Sequence, residues 1–269
     1  MTGLVTRARR ALRAGGPAAL TGQALRYLGD ELLTRSATRA FVHRKREVRN
    51  LDDALDLAFG FEFEGVTIAP GQERAEIEQL LRQLERKPPR TVLEIGTAQG
   101  GTLFLFAQVA APDALLVSVD LPGGPFGGGY MEPRERLYRS FAREGQRIEL
   151  LRADSHAPET RARIGAILGR RPVDFLFIDG DHTRDGVESD FMTYSKLVAD
   201  GGAIAFHDIV PGSRWFVGGV PEFWEELRSS HDVSEFVDDW DQGAYGIGLI
   251  TVDAGPTQVG QSAIRSARG

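Results

Sequence analysis

The chain has 269 residues, of which 42% are hydrophobic, 26% charged and 9% aromatic, an ordinary globular composition that excludes disordered, collagen-like or coiled-coil descriptions of the whole. Its net charge of −6 conceals a division, because residues 1–50 hold 11 Lys+Arg against 3 Asp+Glu whereas the remainder holds 21 against 35. That acidic body argues against a nucleic-acid partner, and the absence of cysteine excludes disulfides, thiolate metal sites and a cysteine nucleophile.

No stretch approaches the roughly 20 apolar residues that span a bilayer. The opening MTGLVTRARRALRAGG lacks the apolar core of a secretory signal, so the expectation is a cytoplasmic protein without stable membrane insertion. Residues 1–50 read as one or two basic helices, broken at Gly15, Gly16 and Pro17, with Leu25, Leu28, Leu32 and Leu33 at helical spacing. An oligomer contact is the expected use of this segment. A membrane surface met by Arg7, Arg9, Arg10 and Arg13 is the alternative.

From residue 72 the pattern becomes regular. Ile77, Leu80, Leu81 and Leu84 share one helical face, ended by Pro88 and Pro89. Strands are then predicted at 91–97, 114–121, 147–154, 173–179 and 201–208, with helices between them at 100–111, 133–145, 155–169 (Ser155 as its N-cap) and 186–198. A helix at 221–228, a weak strand at 233–237 and a last strand at 243–252 follow. The expected fold is α/β: a doubly wound, Rossmann-like, mostly parallel seven-stranded sheet with a last antiparallel strand, plus an N-terminal helical extension. The expected organisation is a basic extension over 1–71 and a cofactor-binding domain over 72–269.

In such sheets the ligand lies beyond the carboxyl ends of the strands, and there the first five end in or beside Gly96, Asp120, Asp154, Asp179 and Asp208. The turn EIGTAQGGT (94–102) puts Ala98 where a dinucleotide fingerprint needs its middle glycine, which weakens a pyrophosphate reading. Glu94 suits a cationic ligand better than a diphosphate. Asp120 is placed to accept from the hydroxyls of a ribose, and Asp154 with Ser155 could meet a base edge or merely cap the next helix. FLFIDGDHT (175–183) and AIAFHDIVPG (203–212) bring Asp179, His207 and Asp208 to neighbouring strand ends. One imidazole and two carboxylates make a candidate site for Mg²⁺ or a transition metal; the alternative is that His207 and Asp208 satisfy backbone groups. His182, three residues beyond Asp179, is a candidate general base.

These motifs resemble class I S-adenosylmethionine-dependent methyltransferases of the catechol O-methyltransferase type, over about residues 72–252. FIDGDHTRDGVESDF with GGAIAFHDI is similar to a bacterial family of natural-product and sugar-modifying enzymes, some labelled cephalosporin-hydroxylase-like. The resemblance implies O-methylation of a hydroxyl on a small molecule (a natural product, sugar or phenol), with S-adenosylmethionine and a divalent metal, Mg²⁺ by preference, as cofactors. It implies cofactor contacts from Glu94, Gly96, Gly100, Thr102, Asp120, Asp154, Ser155 and Asp179, metal ligation by Asp179, His207 and Asp208, and catalysis by His182 with Asp179. His182 stands where that type carries a lysine, and His207 where it carries an acid. The glycine-rich stretch 123–131, with Phe126, Tyr130 and Met131, is a candidate lid, and Trp215, Phe216 and Tyr245 are candidates for the acceptor pocket. The competing readings are an oxidoreductase or hydroxylase on the same fold, and a cofactor-binding scaffold without catalysis.

Overall fold

Strands buried at every position need cover on both faces, and the two at 91–95 and 115–120 are of that kind. The structure, a computed structural model, describes residues 29–123 and 129–252. A helix α1 (29–45) leads into α2 (Leu51–Gly60), a two-residue hairpin β1 (Glu62–Phe63) and β2 (Val66–Thr67), and α3 (Arg74–Arg86). The alternating part follows as β3 (Thr91–Ile95), α4 (Gly101–Val109), β4 (Leu115–Asp120), α5 (Glu135–Arg139), β5 (Arg147–Arg152), α6 (Pro158–Leu168), β6 (Val173–Ile178), α7 (Arg184–Tyr194) and β7 (Val198–His207). Helix α8 (Val220–Arg228) and strands β8 (Val233–Phe236) and β9 (Ile247–Thr251) complete it.

The large sheet has the order β5-β4-β3-β6-β7-β9-β8. Pairing is parallel from β5 through β7, and β9 runs antiparallel to both β7 and β8. The fold is the expected one, with the last strand lying inside the sheet rather than at its edge. The chain winds outward from β3 to β5, then resumes at β6 on the other side, so β3 and β6 are the switch point where ligands bind in this architecture. Alternate strand residues feed two cores. Val92, Phe175 and Phe177 pack with α1 to α4, and Leu93, Leu176 and Ile178 pack with α6, α7 and α8.

Helix α1 belongs to the first of these cores, because the Phe41 ring lies edge-on to Phe61 and Phe104 at 5.2 Å and to Phe141 at 4.9 Å. Phe41→Ala is expected to cost about 3–5 kcal/mol of stability, measured by urea unfolding, through the cavity left among those rings. Leu33 packs on the same core and Leu32 is exposed. Leu25, Leu28 and the arginines at 7, 9, 10 and 13 lie outside the described residues.

Two predicted helices change shape. The one expected over 133–145 keeps α5 only, since Lys45 Nζ takes the carbonyls of Ser140 and Ala142 at 2.5 and 2.7 Å, and Arg143 and Gln146 turn back to the last carbonyls of α4. Helix α6 starts at Pro158 with Ala157 as its N-cap. Ser155 is not the cap, because Asp154 Oδ1 already accepts from His156 N at 2.8 Å and draws 154–157 into a separate turn.

His156 also meets the fully buried Asp190 of α7, Nε2 to Oδ1 3.3 Å. Hydrogen bonding to Asp190, with lesser contributions from Asp154 and Asp181 against an opposing burial effect, raises the imidazole from 6.5 to about 9. The folded-state value exceeds the free one, so the contribution of this pair is complete below pH 6.5 and fades as pH rises through 9. The stability gap between the natural chain and His156→Ala, read by chemical denaturation, should therefore be widest on the acid side of that window and close on the alkaline side.

Candidate active site

At the switch point β3 and β6 come so close that one side chain must be missing. A Cβ on Gly96 (φ +98°) would sit 1.9 Å from the carbonyl oxygen of Asp179, and only glycine meets both demands. Gly100 faces the Tyr138 ring and Gly101 the carbonyl of Ile68 in the same way, so the glycines of this turn make room for protein. Asp120, at the end of β4, accepts with Oδ2 from Thr97 N at 3.2 Å and Ala98 N at 2.7 Å, and burial pushes its carboxyl up to about 6.

Glu94 is buried beneath this turn. Its Oε2 accepts from Ser118, whose hydroxyl lies 2.5 Å from that of Thr97, and Thr102 bonds to the same carboxyl. Burial raises Glu94 to about 8, so near pH 7 the group is mostly a neutral acid.

Beyond β6 and β7 the charged residues converge. Asp179 Oδ1 lies 3.1 Å from His207 Nδ1 and 3.4 Å from His182 Nε2. Asp208 Oδ2 is 3.2 Å from His182 Nδ1 and 3.5 Å from His207 Nδ1, and Asp208 Oδ1 accepts from Tyr245 N at 3.1 Å. Burial alone would raise the Asp179 carboxyl, but the His207 and His182 imidazoles outweigh it and hold Asp179 below the usual carboxylate range. Burial opposes charge on His182 too, yet Asp179 and Asp208 raise it to about 9. Asp208 is shifted upward by burial, as befits the second acid of a close pair. Asp179, His182 and Asp208 offer donor atoms within 4.8 Å of one another, and such oxygen and nitrogen donors suit a divalent ion.

A cleft of about 760 Å³ joins these groups to the switch point, lined by Gly96, Ala98 and Asp120 at one end and by Asp179, His182, His207 and Asp208 in the middle. Trp215, Phe216 and Tyr245 form its outer lip, the first two 82% and 64% exposed. Glu94, Gly100, Thr102, Asp154 and Ser155 are not among the described residues that line it. Asp154 serves the turn before α6, and the Ser155 carbonyl accepts from Tyr194 Oη at 2.5 Å. Of the candidate lid, residues 124–128, Phe126 included, lie outside the described residues; Tyr130 is buried against Tyr138 and Met131 is exposed. Gln72 was not foreseen. It donates from Nε2 to Asp179 Oδ2 at 2.8 Å, and a single amide ahead of an amphipathic helix gives no signal in the sequence.

Residues 93–209 match the family model described as a methyltransferase domain. This stretch is a methyltransferase domain. It contains β3 through β7 and every carboxylate and imidazole of the central cleft, in agreement with the resemblance carried by FIDGDH and HD. An uncharacterized protein of Acanthamoeba polyphaga mimivirus is 31% identical over 140 residues, 49% of this chain and 57% of that protein. One from Sinorhizobium fredii is 28% identical over 145 residues, 52% of this chain and 15% of that protein. The chain thus spans little more than half of one relative and a small part of the other.

Among solved structures, an O-methyltransferase from Bacillus cereus in complex with SAH aligns with a TM-score of 0.51 at 18% identity, covering 76% of this chain and 92% of that one. An O-methyltransferase from Streptomyces achromogenes, involved in tomaymycin synthesis and in complex with SAM, aligns with a TM-score of 0.48 at 21% identity over 76% and 89%. The Bacillus likeness is one of fold. Among the described residues, no helix is long and apolar enough to cross a membrane.

Proposed function

We propose that the protein is an S-adenosylmethionine-dependent O-methyltransferase acting on a hydroxyl of a small molecule, with a divalent cation held at Asp179 and Asp208. The observation that carries this reading is the continuity of one cleft from Gly96 and Asp120 to the Asp179–His182–Asp208 group. S-adenosylmethionine supplies an electrophilic methyl group, and a divalent ion lowers the pKa of an acceptor hydroxyl.

The chain's own residues have distinct tasks. Asp120 lines the end of the cleft beside the β3 turn, where its carboxylate suits a ribose. Asp179 and Asp208 are the two carboxylates that a magnesium site needs when water fills its remaining positions, and His207 Nδ1, near both, is a third donor. His182 is the base. Its Nδ1 lies 2.8 Å from the carbonyl oxygen of Phe216, which holds the proton of the neutral ring there, while Nε2, beside Asp179 Oδ1, is the atom that receives the acceptor's proton; with the imidazole raised to about 9, that neutral form gains as pH climbs toward 9. Trp215, Phe216 and Tyr245 offer ring faces to an acceptor such as a sugar, a phenol or a hydroxylated natural product.

The test is a methyl-transfer screen of the purified full chain over these acceptor classes, read by mass spectrometry with and without EDTA. Calorimetry that finds NAD bound and no S-adenosylmethionine bound would sink the reading in favour of an oxidoreductase. Activity that survives both exhaustive EDTA and Asp208→Ala removes the cation from it.

A further inference from the structure

Asp179 and Asp208, the two carboxylates at the middle of the cleft, are each held from behind, and both holds lead to the same short segment. Gln72, immediately before α3, is 5% exposed and donates from Nε2 to Asp179 Oδ2 at 2.8 Å. The amide must face the carboxylate with its nitrogen, because its oxygen has no proton to give. With Oδ2 engaged, Oδ1 is the atom turned toward His207 and His182.

One turn later Glu76 is completely buried. Its Oε1 accepts from Asp238 N at 3.1 Å and Gln242 Nε2 at 2.7 Å, and its Oε2 from Gly246 N at 2.8 Å. These bonds tie down a turn in which Tyr245 and Gly246 both have positive φ, +66° and +79°, a conformation costly for tyrosine. Tyr245 N then donates to Asp208 Oδ1, and Asp208 has φ +63° of its own. Glu76 therefore acts on Asp208 at one remove, through the Tyr245–Gly246 turn.

We infer that the start of α3 is the positioning element of the site, Gln72 orienting the Asp179 carboxylate and Glu76 fixing the turn that orients that of Asp208. Gln72 reaches the site only through Asp179 and Glu76 only through the Tyr245–Gly246 turn, and both precede the stretch that matches the methyltransferase family. The chemistry of each fits its task. An amide donates to Asp179 without adding a second negative charge beside it, whereas a carboxylate is the group that can collect three N–H donors at once. This inference rests on the reading of Asp179 and Asp208 as cation donors.

Mn²⁺ binding to the full chain, followed by electron paramagnetic resonance, tests it apart from turnover. Gln72→Ala and Glu76→Gln are each expected to weaken Mn²⁺ by about tenfold or more, the usual cost of losing a group behind a metal ligand, with S-adenosylmethionine affinity by calorimetry unchanged. If Glu76→Gln fails to fold, Gln242→Ala, which removes one donor to Glu76, should still weaken Mn²⁺ severalfold. Natural-chain affinity in Gln72→Ala, or in both Glu76→Gln and Gln242→Ala, overturns the positioning role while leaving the cation reading intact. A natural chain that binds no Mn²⁺ overturns the cation reading, and this role with it.

Discussion

His182→Ala should slow methyl transfer by about 10²–10⁴-fold, the range for loss of a general base, with S-adenosylmethionine and Mn²⁺ still bound. The separation is expected because the side chain and the backbone of His182 do different things. Its carbonyl accepts from Gly219 N at 2.7 Å and packs against Gly218 so closely that a Cβ there would come within 1.9 Å. The substitution leaves those contacts in place, so the segment bearing Trp215 and Phe216 keeps its backbone anchor and loses only the ring's bond to the Phe216 carbonyl. Single-turnover measurements at saturating cofactor are the check, and a drop of less than about tenfold would give the base to another group.

Gly96→Ala should be among the most damaging small substitutions in the fold, at about 2–5 kcal/mol from overpacking and an unfavourable φ together. The clash is between backbones: the new methyl would meet Asp179 O at 1.9 Å and Asp179 C at 2.6 Å. Neither strand can yield freely, because Gly96 N donates to Val119 O and Asp179 N to Ile95 O, both at 2.8 Å. Relief must displace the end of β6, which moves Asp179 relative to both imidazoles, so activity should fall even in molecules that remain folded. Gly165→Ala is the matched control. That glycine lies inside α6 with nothing within 4 Å of an added Cβ, and the change should stabilise by about 0.5–1 kcal/mol in the same urea titration.

The strands were legible because each is a short apolar run punctuated by glycine or aspartate, and that punctuation also marks the sheet edge where Asp120, Asp179 and Asp208 gather. Helix α2 carries a usable local signal too: Asn50 as N-cap, acids at 52 and 53, and Leu51, Ala54, Leu55 and Ala58 on one face. Nothing local could reveal Gln72 or Glu76. Their partners are more than a hundred residues away, and a glutamate in an amphipathic helix looks like part of a solvated face until the loop that covers it is known. Glu94 shows the opposite case. An acid at a strand end resembles a ligand contact, but Ser118 two strand positions before Asp120 and Thr102 on α4 enclose its carboxyl.

The position of β9 has a bearing on how the molecule is made. It fills the space between β7 and β8 although it is the last of the three to leave the ribosome, so the gap must stay open until β9 arrives. Until then β7 lacks its second neighbour, and the amide that steadies Asp208 is still on the way, since Tyr245 lies just before β9. The β3–β6 half of the cleft can assemble early, from strands already synthesised, but the Asp208 half waits. Nascent chains stopped short of residue 245 would lack the amide that steadies Asp208, and with it a finished site.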